Sequence, residues 1–324
     1  MTSACSPRRS TVAPASCSGI SRRRSAISGS SVRRGRSTRR GRTPRVLDRA
    51  TERASAAVDQ SPSWRVHLAE WGAEAAGTAL LLIGGLSAVC LDFGKHSWMA
   101  AHVPSVSLRL LLTGLLFAGT GSLVAISPLG RLSGAHLNPV VTVAFRITGQ
   151  VHATDLGGYI LSQLLGATAG AAVVRVLWGD TATGIGDGVT LPGAATSVYA
   201  AVGIEAVMTA ILVATILGFL SRRRLAPWTP LAVWVVVALL VWQGAPYTGT
   251  SLNPARSLGP ALVAGSLAQY WVYVIGPLIG GVAVALVTRS LSMRPLTAKL
   301  CHDPAYPSTL ACELPVSSVT GGER

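Results

Sequence analysis

The sequence predicts an all-α membrane protein with six transmembrane helices and two re-entrant half-helices in an inverted repeat. Of its 324 residues, 49% are hydrophobic and only 13% are charged, and the mean hydropathy is +0.47. A soluble globular protein seldom has this balance. Six apolar stretches are each long enough to cross a bilayer core of about 30 Å. Two further apolar segments begin with Asn-Pro and are too short to cross.

The six predicted spans follow one another from Leu68 onward. They cover approximately residues 68–90, 108–126, 156–177, 198–220, 227–243 and 268–287. Glycines recur within the third and the sixth span, and small residues allow helices to approach closely in lipid. We therefore expect a tightly packed bundle.

The first 66 residues form an Arg- and Ser-rich extension that we expect to be disordered, because it has almost no apolar periodicity and cannot bury enough surface to fold. Up to Arg65 it holds fifteen arginines and three acids, a net charge of +12 out of +15 for the whole chain. The extension is interpreted as a cytoplasmic segment, as sequence upstream of the true start, or as an organelle transit peptide. It lacks interleaved aromatic residues, and we expect no nucleic-acid partner.

Basic residues predict the orientation, since Lys and Arg accumulate on the cytoplasmic side of a membrane protein. One set of connections carries Arg131, Arg146, Arg222, Arg223, Arg224, Arg289, Arg294 and Lys299, whereas the opposite set shows no such excess. The first set lies on the same side as both ends of the chain. We expect both termini to be cytoplasmic, residues 291–324 to form a C-terminal cytoplasmic tail, and the plasma or inner membrane to be the location.

The two short segments each begin with an Asn-Pro pair. Asn138 and Pro139 are followed by Val140, and Asn253 and Pro254 are followed by Ala255. Asn is a good helix N-cap and Pro suits the first helical position, so each pair predicts the start of a helix of about two turns. Such a helix enters the membrane and returns, and its irregular approach loop is tolerated only where it lines a cavity.

The two halves of the chain also repeat. Glu74 in the first span is followed four residues later by Thr78, and Glu205 in the fourth span by Thr209. Each half then contains one more span and an Asn-Pro segment. Because each half has three spans, the second half enters the membrane from the opposite side, and the two Asn-Pro ends meet near the midplane.

On these residues the chain resembles the major intrinsic protein family, the aquaporins and aquaglyceroporins, from about Leu68 to Arg289. The second box, Asn253-Pro254-Ala255-Arg256, matches the family motif, and the first has Val140 where Ala is most frequent. The resemblance implies an aquaporin-like channel domain over residues 67–290, with halves 67–178 and 197–290. It implies a homotetramer in the lipid bilayer that passes water or small neutral solutes such as glycerol and excludes ions and protons.

The resemblance also assigns roles to single residues. Counting from the Asn-Pro boxes places a selectivity filter at Ala118, Val241, Thr250 and Arg256, or at Phe117 instead of Ala118 if the register slips by one. Glu74 and Glu205 correspond to glutamates that support the re-entrant loops, and His136 is expected to pack in its loop. Ala118 and Val241 give a wide ring of low polarity, which favours solutes larger than water.

Two other function classes compete with a passive channel. An inverted-repeat secondary transporter also has discontinuous helices at the midplane, and a non-conducting scaffold is the second alternative. The five cysteines have no metal-ligand or disulfide spacing. With no catalytic motif in the sequence, we expect no enzyme activity, no cofactor and no metal.

Overall fold

The computed structural model describes residues 64–95 and 97–314. The Arg-rich extension, apart from its last three residues, and the last ten residues of the chain lie outside the described residues, so the predicted disorder of the extension is not addressed by the structure.

Six helices of the described chain are long and apolar enough to cross a membrane, as predicted, which confirms the all-α membrane fold. They are α1 (Trp64–Phe93), α3 (Val106–Ile126), α6 (Ala153–Trp178), α8 (Val198–Leu220), α9 (Thr229–Thr248) and α11 (Val272–Ser290). Two shorter apolar helices begin at the Asn-Pro pairs, namely α5 (Pro139–Thr148) and α10 (Pro254–Val263). Short helices α2 (Trp98–His102), α4 (Pro128–Ser133) and α7 (Asp180–Gly184) lie in connections.

The helix pairs of one half repeat in the other. Helix α1 packs on α3 and α6, and in the same way α8 packs on α9 and α11. The α3–α9 contact joins the halves, while α5 packs on α11 and α10 packs on α6. Each half-helix therefore packs on a span of the other half, and the two short helices face each other near the centre of the bundle.

Glycines bring the repeated helix pairs close together. A Cβ added to Gly170 of α6 would lie 2.5 Å from the carbonyl oxygen of Ala79 in α1, and one on Gly276 of α11 would lie 2.8 Å from that of Val202 in α8. No side chain fits at such a distance from the neighbouring backbone. The glycines of the third and sixth predicted spans thus permit the close approach that lipid-embedded helices need.

The bundle has two ends, which we call the tail face and the loop face. The tail face is where α3, α8 and α11 finish, at Ile126, Leu220 and Ser290; the loop face is where α1, α6 and α9 finish, at Phe93, Trp178 and Thr248. Between these ends many large apolar side chains are exposed on the outside of the spans, including Leu123, Leu165 and Val207. This surface suits contact with lipid tails.

The chain after α11 folds back across the tail face. Residues 293–314, which we call the C-terminal strap, are held by backbone hydrogen bonds to the bundle, such as Leu296 N to Leu220 O at 2.9 Å and Leu300 N to Gly134 O at 3.0 Å. Lys299 is buried, and its Nζ donates to the carbonyl of Arg131 at 2.6 Å. Burial lowers the pKa of Lys299, and the nearby Glu70 carboxylate opposes that effect.

Candidate functional site: two facing Asn-Pro half-helices

Each half-helix begins with an asparagine whose side chain caps it. Asn138 and Asn253 both have extended backbone conformations, and their Oδ1 atoms accept hydrogen bonds from Val140 N at 2.9 Å and from Ala255 N at 3.0 Å. The following proline occupies the first helical position, where no N–H is needed. Asn-Pro thus starts both helices for the reason that the sequence indicates.

The same two asparagines connect the halves through their amide nitrogens. Nδ2 of Asn138 donates to the carbonyl of Leu252 at 2.8 Å, and Nδ2 of Asn253 donates to the carbonyl of Leu137 at 2.7 Å. Each amide therefore reaches into the opposite half and binds the residue just before its asparagine. This reciprocal pair fixes the ends of the two half-helices against each other.

Buried glutamates hold the loops that lead to the asparagines. Glu205 accepts hydrogen bonds from the backbone N–H of Ser251 and of Leu252, each at 2.8 Å, and from the hydroxyl of Thr248. In the first half Glu74 accepts from the N–H of Leu137. Both carboxylates are fully buried, and each accepts at least one hydrogen bond from the backbone of its loop.

Both approach loops have the same unusual backbone. Ala135 and Leu137 have φ of 53°, and Thr250 and Leu252 have φ of 47° and 59°, so the third and the first residue before each asparagine are left-handed. This conformation is costly for residues with a Cβ and persists only where surrounding structure enforces it. The loops are held in this conformation by their N–H groups, which donate to the glutamates, and by their carbonyls, which accept from the asparagines.

His136 lies within the first of these loops and is buried. Its Nε2 lies 2.9 Å from the carbonyl of Ala298 in the strap, and its Nδ1 lies 3.1 Å from Oγ1 of Thr142. A carbonyl only accepts, so Nε2 carries the proton and donates. The ring also contacts Phe145 and Tyr159, and the described residues contain no group of three or more His, Cys, Asp or Glu able to hold a metal.

Two cavities adjoin at Phe117 and Arg256. The loop-face chamber, of about 250 Å³, is lined by residues that include Val89, Thr113, Phe117, Val241, Thr250 and Arg256. The tail-face cavity, of about 110 Å³, is lined by residues that include Ala118, Ser122, His136, Asn138, Asn253 and Leu300. The residues that line both are Phe117, Val237, Ser251, Leu252 and Arg256, so the two spaces adjoin there, while the asparagines line the tail-face cavity.

Three of the four predicted filter residues lie together in the loop-face chamber, and Ala118 does not. The guanidinium of Arg256 donates to the carbonyl of Gly188 at 3.1 Å, and its Cζ lies 5.4 Å from the ring centroid of Phe117. Ala118, one residue further along α3, lines the tail-face cavity instead. The structure thus places Phe117, the alternative of the sequence count, beside Val241, Thr250 and Arg256.

Comparison with known proteins agrees with this architecture. The model of the family described as "Major intrinsic protein" matches residues 60–288. The chain is a member of the major intrinsic protein family. It is therefore a membrane channel and not an enzyme.

Named relatives place it among the aquaporins of this family. It is 35% identical to aquaporin NIP1-1 of Zea mays, over 66% of this chain and 71% of the relative. It is 33% identical to aquaporin Z of Rhodopseudomonas palustris, over 69% of this chain and 93% of the relative. The X-ray structure of the aquaglyceroporin from Plasmodium falciparum superimposes with a TM-score of 0.58, at 21% identity, covering 70% of this chain and 97% of that one, and so shares the fold.

Sequence analysis missed two side chains of the site. Gln163 of α6 is fully buried, and its Nε2 donates to Glu74 Oε1 at 2.8 Å and to Thr142 Oγ1 at 2.9 Å. A glutamine in an apolar span is the kind of polar residue that marks a site in a membrane protein. Leu300 lines the tail-face cavity from outside the six spans, and no periodic pattern around it indicates that position.

Val140, the departure from the usual family motif, fits a space left by a glycine. Its side chain is fully buried, and a Cβ added to Gly281 of α11 would overlap Cγ1 of Val140. The next atoms that such a Cβ would meet are Val213 Cγ2 at 3.5 Å and Val140 Cβ at 3.7 Å, which are ordinary contacts. The valine is thus accommodated by a glycine on the neighbouring span of the other half.

A double-mutant cycle tests this pair. We expect Gly281→Ala alone to destabilise the protein by about 1–3 kcal/mol through overpacking, and Val140→Ala alone to cost roughly 1–3 kcal/mol through a cavity. Combined, the two changes should cost clearly less than their sum, because the new alanine occupies the space that the valine leaves. Thermal unfolding in detergent measures all four proteins. Strictly additive costs would show that the two side chains do not share one space.

Proposed function

We propose that the protein is a passive channel for water and small neutral solutes such as glycerol, and that it excludes ions and protons. The observation that carries this proposal is the pair of facing half-helices, whose capping asparagines Asn138 and Asn253 line the tail-face cavity beside the residues that it shares with the loop-face chamber. One amide hydrogen of each asparagine binds the opposite loop. The other can donate to the oxygen of a passing water or alcohol.

The same arrangement opposes the passage of cations. Each helix N-terminus carries about half a positive charge, and two of them point at one place. Arg256 adds a full charge in the first turn of α10. A neutral molecule avoids most of this electrostatic barrier, whereas a cation or a proton does not.

The proposed filter consists of Phe117, Val241, Thr250 and Arg256, and Ala118 lies one step deeper in the pore. Thr250 and Arg256 provide polar contacts, while Phe117 and Val241 provide an apolar side. A ring with one polar and one apolar side suits a small alcohol, which has hydroxyls and a carbon backbone. Among the relatives, one is named aquaporin Z and the fold neighbour is titled an aquaglyceroporin, and the proposal covers the solutes of both.

Glu74, Glu205 and His136 have structural roles in this proposal. Their hydrogen bonds go to loop backbone or to neighbouring side chains. A secondary transporter would need a coupling-ion site, and these two buried glutamates are the acids next to the asparagines. Because loop N–H groups engage them, a passive channel is favoured over a transporter.

The proposed orientation places the tail face in the cytoplasm of a plasma or inner membrane. Arg109 and Arg175 are basic residues near the loop face, opposite the Lys- and Arg-rich side, and both have partners there: Arg109 donates to the Asp92 carbonyl, and Arg175 pairs with Asp187 at 2.6 Å. By family membership we further propose a homotetramer with one pore in each subunit.

Reconstitution of the purified chain in liposomes tests the function. Stopped-flow light scattering should show faster osmotic shrinkage than in protein-free liposomes, and reswelling in glycerol should follow. A preset proton gradient should not drive solute accumulation, in contrast to a coupled transporter. Water flux without glycerol entry would restrict the channel to water, and no flux of either solute would contradict the proposal.

The filter assignment is tested on α3. We expect Phe117→Ala to increase glycerol flux relative to water flux severalfold, because it opens the ring opposite Arg256. It also removes a cation–π contact of about 0.5–2 kcal/mol. The matched control is Leu116→Ala, a neighbouring change at a side chain that is 48% exposed on the outside of the bundle. An unchanged flux ratio in Phe117→Ala would remove Phe117 from the filter.

The cation barrier is tested at the second half-helix. Asn253→Asp places a carboxylate where the two helix N-termini meet, and we expect it to give a cation current in planar bilayers that the unmodified protein lacks. Gln269→Glu makes the same kind of charge change at an exposed loop position and serves as control. If Asn253→Asp folds and carries no current, the half-helix ends are not the main barrier.

A further inference from the structure

The tail-face cavity is closed in part by a residue from outside the family domain. The family match ends at residue 288, and Leu300 of the C-terminal strap lines the same cavity as Asn138 and Asn253. Its other lining residues include Ala125, in the last turn of α3, and Pro230, in the first turn of α9. Leu300 therefore lies at the tail-face mouth of the proposed pore.

The strap is a structured element. It doubles back on itself, with Ala298 N donating to Ala311 O and Glu313 N to Leu296 O, so that residues 296–300 run beside residues 310–313. The turn between these arms is closed by Asp303, whose Oδ1 accepts from Ala305 N at 3.0 Å. This hydrogen bond, together with Arg131, lowers the pKa of Asp303.

The arms are attached to α1, to α4 and to the approach loop of the first half-helix. The fully buried carboxylate of Glu70 in α1 accepts from the backbone N–H of Thr309 at 2.8 Å and from its hydroxyl. Arg131 of α4 pairs with Asp303 at 2.9 Å. On the pore side, His136 donates to Ala298 O and the Gly134 carbonyl accepts from Leu300 N. Leu300 itself and Ala298, two residues before it, are thus fixed to the approach loop of the first half-helix.

We propose that the C-terminal strap sets the permeability of the pore by holding the Leu300 side chain in its tail-face mouth. The inference rests on the pore proposed above. An apolar side chain in a narrow passage offers water no hydrogen bond and favours local dewetting, which is one way that channels restrict flow. Leu300 acts by its volume and apolarity, and Glu70, Thr309 and His136 act by positioning it.

The experiment compares single-residue variants of the full chain in liposomes, with water flux expressed per protein. Leu300→Ala should raise water permeability severalfold, and Leu300→Trp should lower it. Thr309→Val removes the hydroxyl bond to Glu70, loosens the strap and should shift permeability in the direction of Leu300→Ala. Leu291→Ala, at a side chain that is 65% exposed before the strap begins, should leave flux unchanged.

The outcomes distinguish the proposed role of Leu300 from the proposed channel function. Flux that is low in the unmodified protein and high in Leu300→Ala supports both proposals. Measurable flux that is the same in the unmodified protein, Leu300→Ala and Leu300→Trp contradicts the proposed role of Leu300 and leaves the proposed channel function intact. No flux in the unmodified protein or in Leu300→Ala overturns both. Circular dichroism and size-exclusion profiles that match the unmodified protein show that each variant is folded.

Discussion

The structure depends on satisfying the free N–H groups of two half-helices and their approach loops inside a membrane. A bilayer core has no water to bind such groups, so irregular backbone there requires partners from the protein. Asn138 and Asn253 cap the helices, and Glu74 and Glu205 accept from the loops. These four side chains are buried in pairs because each half faces the same requirement. This arrangement leaves a cavity beside the asparagines, and a passing solute can form hydrogen bonds there.

The two halves meet the requirement with different second partners. In the first, Gln163 joins Glu74 to Thr142, and His136 completes the network. In the second, Ser257 lies within hydrogen-bond distance of the hydroxyls of Ser251 and Thr190, and Thr248 donates to Glu205. Among the side chains of these two networks, only the Asn and the Glu are identical in both halves. The repeat therefore preserves the groups that touch the loop backbone, while the residues behind them differ with the neighbouring helices.

Sequence patterns predicted the parts of the fold that obey local rules. Span length, Asn-Pro capping and the repeated Glu are each set by a few adjacent residues, and they placed α5, α10 and the six spans within a few residues. The filter count was less secure because it assumes a regular path from α3 to Asn138. In the structure α3 ends at Ile126, Ser127 caps a new helix at Pro128, and Phe117 rather than Ala118 faces Arg256. The sequence of the strap has no hydrophobic periodicity from which its position could be predicted. The strap is held in place by hydrogen bonds to residues far apart in the chain. The domain bounds stay a prediction.

The strap and the pore loop share one hydrogen bond that links their behaviour. His136 lines the tail-face cavity, and its Nε2–H donates to the carbonyl of Ala298. While the strap is in place, this donor is occupied and Leu300 adds an apolar surface next to it. Moving the strap away would remove the apolar side chain and at the same time free a donor toward the cavity. Both changes favour water in the same space, so a small displacement of residues 298–300 alters the wetting of the mouth more than the loss of one leucine would by its volume alone.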